Sequence, residues 1–384
     1  MARLNQRLRT LPDIFPPLGP VTRSVLFADF ERTPPALTPY QWYTEYPVLI
    51  GHGLAGIALR LARQHALDVP AAVVHDLEDA HFSEVTTTFR MTQCSRDGLA
   101  ALRASGIPLV VTKGPGIAQA HHPMSERTFS DIDVVVPPRS FSAAFRVLRA
   151  LGYQEQPQSV QPWPSHRRTG REATNLRTSG GGSIDLHHRI SPWNWSHGLS
   201  FRNLEHRAHT STLSGLSVAL ASTEDNLLIA ALHVVSDKSQ PGLSYRVWRD
   251  LLVLARASAP DRVAEVAGAS GMCGWLSWIL SCLPEEVRPS DLMTHLGNRD
   301  AHIPRTWRLQ LLLHTEREHL LNPMYRLPLP GAVFTVCGSL VPSPRYLRLQ
   351  YPDTDHRYLT RWHNLVSRFP YRAAGMHPTS SAQT

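Results

Sequence analysis

The sequence predicts an α+β fold: a small mixed sheet with helices over residues 106–195, flanked by N- and C-terminal helical regions. Three observations carry that expectation. Apolar residues recur at helical spacing up to about Arg103, the period shortens to that of strands at Ile107, and it becomes helical again from Thr223. The short apolar runs in between are β-branched and stop at turns rich in Gly and Pro.

Residues 1–45 read as a Pro-rich arm (Pro12, Pro16, Pro17, Pro20, Pro34, Pro35, Pro39), expected to be extended or a loose cap. Residues 46–105 read as a helical region. One helix carries Leu54, Ile57, Ala58 and Leu61; a second carries Val73, Leu77, Ala80, Val85 and Phe89, with Pro70 suited to its first turn. The core opens on a strand, Ile107–Thr112, which ends at Lys113-Gly114-Pro115-Gly116 and leads into a short helix, Ile117–His121. Asp131–Val136 is a second strand. Ser140 is placed to cap the helix Phe141–Leu151, which Gly152 ends. Two further strands, Ala173–Thr178 and Ser183–Ile190, flank a hairpin at Gly180-Gly181-Gly182. Before them, His166–Arg171 is either a solvated Arg-rich turn or a substrate-contacting loop. Residues 196–372 read as mainly helical, with helices at Glu224–Val235 and Tyr245–Ala257, and 373–384 as a disordered tail.

Bulk properties narrow the function classes. A chain of 384 residues with 42% hydrophobic content can bury the cores of two domains. No apolar run reaches 18 residues and the N-terminus has no apolar stretch of the secretory kind, so a cytoplasmic protein with no membrane partner is expected. Cys94, Cys273, Cys282 and Cys337 are scattered, which suits neither a disulfide framework nor zinc. The His pairs His121-His122 and His187-His188 have no zinc spacing either. A net charge of +8 and a pI near 9.6 favour anionic partners. That balance permits RNA, but no basic–aromatic interleave argues for it. Only Lys113 and Lys238 are lysines in this Arg-rich chain, and Lys113 stands at a glycine turn.

The chemistry centres on Asp131-Ile132-Asp133. Alternate residues of a strand share a face, so the two carboxylates lie roughly 6–7 Å apart and repel unless a cation sits between them. In Ser183-Ile184-Asp185-Leu186-His187, Asp185 and His187 share one face. If this strand lies beside the first, Asp185 completes a carboxylate triad of the kind that holds Mg²⁺ against nucleotide phosphates; otherwise it is a strand-end surface residue.

The order of these motifs is specific. The run GIPLVVTKGPGIAQAHH…RTFSDIDVVV…LRALGY, then Ile184–Arg189, then EDNLLIAALHVVSD…YRVWRDLLVLAR, resembles a family of uncharacterised nucleotidyltransferases over roughly residues 45–370. That family is similar to the polymerase-β-like nucleotidyltransferases. The resemblance implies a polymerase-β-like nucleotidyltransferase core, a bound nucleoside triphosphate (ATP first among them) and two Mg²⁺ ions held by Asp131, Asp133 and Asp185. It implies phosphate binding by Gly114 and Gly116. This chain has Gly114-Pro115 where the superfamily has Gly-Ser, and Lys113 is expected to replace the serine's contact, unless it is a plain surface lysine. Arg127 either clamps the triphosphate or is a solvated loop residue. His187 either orients Asp185 or the acceptor, or is a core histidine. His233 is expected to pack on the core and Asp250 to cap or orient nearby chain.

The reaction so implied is attack by an acceptor hydroxyl or phosphate on the α-phosphorus of the NTP. A small molecule or modified peptide is the expected acceptor. A protein side chain, a tRNA end, or a catalytically silent nucleotide-binding or interaction module are the rival readings.

Overall fold

In the computed structural model, residues 15–30, 36–121, 123–156, 172–190, 197–236, 245–297, 343–350 and 357–360 are described. The loop His166–Arg171 and the tail 373–384 lie outside them. Seven strands form one mixed sheet: β1 (Val110–Thr112), β2 (Ile132–Val135), β3 (Gln154–Glu155), β4 (Ala173–Arg177), β5 (Ser183–His187), β6 (His209–Leu213) and β7 (Leu216–Leu220). Their order is β3-β4-β5-β2-β1-β7-β6. The strand expected at 107–112 pairs antiparallel with the one expected at 131–136, and β2 pairs parallel with β5.

The sheet is larger than the sequence pattern predicts. β6 and β7 lie in the stretch read as mainly helical, and β7 joins β1 in parallel. β6 is a polar edge strand, largely exposed, so it carries little apolar alternation. Its turn, Ser214-Gly215, has both residues at positive φ, as a two-residue hairpin with the sheet's own twist requires.

Alternation gives the two faces different jobs. Ile132, Val134, Ile184, Leu186 and Leu176 point into one core, against Met91, Leu99 and Leu102 of a long helix and Leu148 of another. Each fully buried aliphatic side chain of this kind contributes about 1.5–3 kcal/mol. The residues between them, Asp133, Asp185 and His187, therefore face the other way.

The helices are α1 (Pro20–Leu26), α2 (Pro39–Gly51), α3 (Ala55–Arg63), α4 (Ala71–Ala104), α5 (Gly114–Ala120), α6 (Phe141–Ala150), α7 (Phe201–Arg207), α8 (Thr223–Ser236), α9 (Tyr245–Ala257), α10 (Pro260–Ala269), α11 (Cys273–Ser281), α12 (Ser290–Leu296) and α13 (Pro344–Gln350). The arm is not wholly extended. Pro20 and Pro39 each open a helix, where a missing N–H costs nothing, and Val21, Val25 and Leu26 of α1 are fully buried.

α4 runs for 34 residues and lies on the sheet by its Thr92, Ser95, Gly98, Leu102 face. Gly98 makes that approach close, because a Cβ there would meet the Tyr153 hydroxyl at 2.7 Å and Ile184 Cδ1 at 2.9 Å. Ser183 N donates to Ser95 Oγ at 2.9 Å, pinning the start of β5 to the helix. Phe89, expected on the buried face, is 64% exposed: it sits one residue round the helix from Thr88, whose hydroxyl donates to the Phe129 carbonyl.

Ser140 precedes α6 but does not cap it with its side chain. The 3₁₀ turn Pro138–Ser140 runs straight into the helix and leaves Ser140 in helical, not extended, geometry. Gly152 ends α6 at φ +86. No described helix is long and apolar enough to cross a membrane.

Candidate active site

Lys113 follows β1 directly and adopts φ +52, ψ −119, a backbone region that favours glycine. Asn226 of α8, almost fully buried, holds it there: Lys113 N donates to Asn226 Oδ1 at 2.8 Å, while Asn226 Nδ2 donates to the Ala221 and Ser222 carbonyls at 3.1 Å. The turn's glycines serve the same packing. A Cβ on Gly116 would lie 2.5 Å from Asn226 Nδ2, and one on Gly114 would lie 2.8 Å from Phe129 Cγ. The result is a lysine aimed across the sheet, with Nζ 2.6 Å from Asp133 Oδ1.

Asp133 and Asp185 are register partners on β2 and β5, and Thr112 of β1 is the partner of Asp133 on its other side. His187 Nε2 stands 3.0 Å from Asp133 Oδ1 and 3.0 Å from Asp185 Oδ2. Its Nδ1 lies 3.2 Å from the Arg189 carbonyl, which can only accept, so Nδ1 carries a proton and Nε2 faces the carboxylates. Burial works against a charged ring here, yet Asp185 and then Asp133 push His187 up to about 10. Burial likewise pushes Asp133 up, but Lys113 and His187 outweigh it and hold the carboxyl below the usual range. Asp131, just before β2, is paired with nothing among the described residues; burial, Asp133 and Asp185 push it up to about 6.

One ligand atom from each of Asp133, Asp185 and His187 lies within 4.8 Å of the others. Asp185 Oδ1 is buried with no hydrogen-bond partner. An orphaned carboxylate oxygen beside a second carboxylate and an imidazole nitrogen suits a divalent cation, so the residues present fit a metal. The compact set thus holds two members of the sequence-derived triad with His187 as the third, and Asp131 stands beside it.

Arg127 is engaged by Asp250, with Nε donating to Asp250 Oδ1 and Oδ2 at 2.8 and 2.9 Å and Nη1 donating to the Thr128 carbonyl. Asp250 is buried on α9 and also meets His121 Nε2 at 3.2 Å. Against the cost of burial, Arg127 and His121 hold its carboxyl down to about 2. His233 is half-buried. Sequence reasoning missed Asn226, whose one signal was a polar side chain beside the apolar run of α8, and it missed Arg246, whose Nη1 donates to the Thr128 carbonyl at 3.2 Å.

A protein-family model described as "uncharacterised nucleotidyltransferase" matches residues 38–267, more than half of the chain. No curated protein matches. Among solved structures, the antibiotic-resistance factor ANT(2'')-Ia is 14% identical, with 49% of this chain and 91% of that one covered and a TM-score of 0.31. An antigenic nucleotidyltransferase-like protein from Paracoccidioides brasiliensis is 15% identical, with 54% and 92% covered and a TM-score of 0.30.

Proposed function

Since the chain belongs to the family of uncharacterised nucleotidyltransferases, we propose that it moves a nucleoside monophosphate, AMP in the first instance, from an NTP to the hydroxyl or phosphate of a small molecule or modified peptide. The observation that carries this reading is the pairing of Asp133 with Asp185 on adjacent strands, with Asp185 Oδ1 buried and unsatisfied. Asp131, Asp133 and Asp185 would hold Mg²⁺, and His187, through Nε2, orients the last two. Bound there, the ions would supply charge neutralisation for the triphosphate and a lowered pKa for the attacking hydroxyl.

The chain's own residues do the rest. Lys113 provides the compact cation at the phosphate end, in a turn where Pro115 has neither N–H nor hydroxyl to offer. Gly114 and Gly116 let that turn close on Phe129 and Asn226, which fixes where the amine points. Arg127, four residues before Asp131, is steadied by Asp250 and is the second cation assigned to the triphosphate. Acceptor attack on the α-phosphorus then needs positioning and electrostatics rather than a covalent nucleophile. The test is incubation with labelled ATP, GTP, CTP and UTP plus Mg²⁺, scoring pyrophosphate and label in small molecules, peptide or RNA. Labelled small molecule or peptide supports the reading, labelled RNA moves it to a nucleic-acid acceptor, and no pyrophosphate with any NTP and any acceptor pool sinks it.

A further inference from the structure

Two guanidinium groups approach the segment that leads into Asp131, and they are compensated differently. Arg127 is tied through Nε to both oxygens of Asp250. Arg246, in the first turn of α9, donates Nη1 to the Thr128 carbonyl at 3.2 Å and to Thr128 Oγ1 at 3.3 Å, and it forms no ion pair among the described residues. Its Nε and Nη2 carry no hydrogen bond there.

Asp250, Glu84 and Asp131 attract it without reaching ion-pair distance. Asp250 is engaged by Arg127 and His121, and Glu84 accepts from Thr128 Oγ1. Burial first and Arg127 second push Arg246 down to about 10, the mark of a desolvated cation beside another cation. The chain makes room for it: Gly53, at φ +65, would place a Cβ 2.5 Å from Arg246 Nη1. A half-buried guanidinium with one free donor edge, Nε–Nη2, whose unpaired acidic neighbour Asp131 is itself assigned to a metal, is completed by an anion.

We propose that Arg246 binds the phosphate chain of the nucleotide, on the Asp131 side of the carboxylate cluster, with Lys113 on the Asp133 side. This rests on the nucleotidyl-transfer reading for the identity of the ligand. The anion site itself stands on the geometry of Arg246 alone. Thr128 sets the guanidinium's direction through Nη1, and the Nε–Nη2 edge offers two parallel donors to phosphate oxygens.

The full-length chain, Arg246→Ala and Arg246→Lys are titrated calorimetrically with inorganic tripolyphosphate and with ATP in Mg²⁺, and pyrophosphate release is followed in parallel. The expected result is a loss of affinity of about tenfold or more for both ligands in Arg246→Ala, and a smaller loss in Arg246→Lys with its melting temperature retained. Unchanged affinity in Arg246→Lys and Arg246→Ala, or no tripolyphosphate binding by the wild type, overturns the proposal. Arg246-dependent tripolyphosphate binding without pyrophosphate release from any NTP supports the anion site while removing the nucleotidyl-transfer reading. NTP turnover with wild-type affinity in Arg246→Ala leaves that reading standing and removes the proposal. Should Arg246→Ala not fold, the Lys variant decides, because a point cation cannot reproduce a two-donor edge.

Discussion

Lys113 Nζ lies 2.6 Å from Asp133 Oδ1, so the lysine that follows one strand neutralises the buried carboxylate of that strand's antiparallel neighbour. The contact sets Asp133 apart from Asp131. The first is held by two cations, Lys113 and His187, whereas the second faces like charge without a partner.

That contrast separates two variants. Asp131→Asn removes repulsion with Asp133 and Asp185 and is expected to raise the melting temperature in chelator-containing buffer. Asp133→Asn strips Lys113 and His187 of their shared partner and is expected to cost about 1–3 kcal/mol. Both are expected to abolish Mg²⁺-dependent NTP turnover. Thermal melts and pyrophosphate release check this, and equal stability changes of the same sign would be the wrong result.

Lys113 is expected to contribute to nucleotide affinity. Lys113→Ala should weaken NTP binding by about 1.5–3 kcal/mol, the range for a hydrogen bond to a charged group, with Lys113→Arg recovering only part of it. Equal calorimetric affinity in wild type and Lys113→Ala would return the residue to a structural role.

The backbone of Lys113 gives an independent check. At φ +52 a side chain is strained and glycine is not, so Lys113→Gly should be more stable than Lys113→Ala by about 1 kcal/mol. Asn226→Ala should lose stability by removing the acceptor for Lys113 N. It should also raise the KM for NTP, because the amine is no longer aimed. Denaturant melts with the two Lys113 variants showing equal stability would contradict the strain argument.

Asp250 supplies the pH dependence. Its folded carboxyl is held down to about 2 against an ordinary 3.8, so its contribution is fully present above the unfolded value and disappears as pH falls through the folded one. The stability gap between wild type and Asp250→Asn should therefore be constant near neutrality and narrow from about pH 4 towards pH 2. A gap that widened on acidification would show that Asp250 is not ion-paired to Arg127.

Much of this was legible in residue order. The period switch at Ile107 located the sheet, and strand alternation put Asp185 and His187 on one face, where β5 carries them. What alternation could not give was which strands pair. The register Asp133 to Asp185 arises from β5 crossing back to lie parallel with β2. The hairpin Ser214-Gly215 had a turn signal, but β6 is exposed at the sheet edge and lacks the apolar pattern that marks a strand. The carboxylate-to-cation contacts were also hidden. Asn226, Arg246 and Asp250 stand about 100 residues or more along the chain from the groups they hold, and sequence spacing carries no information about such pairs.

The central claim is that Asp133 and Asp185 hold a divalent ion against a nucleotide. The most direct measurement is anomalous diffraction from crystals of the full chain soaked with Mn²⁺ and a non-hydrolysable ATP analogue. The account predicts a Mn²⁺ peak bridging the Asp133 and Asp185 carboxylates and a phosphate oxygen, with Lys113 Nζ released from Asp133. A bound nucleotide elsewhere, with no peak at these carboxylates and the Lys113 contact intact, would contradict it.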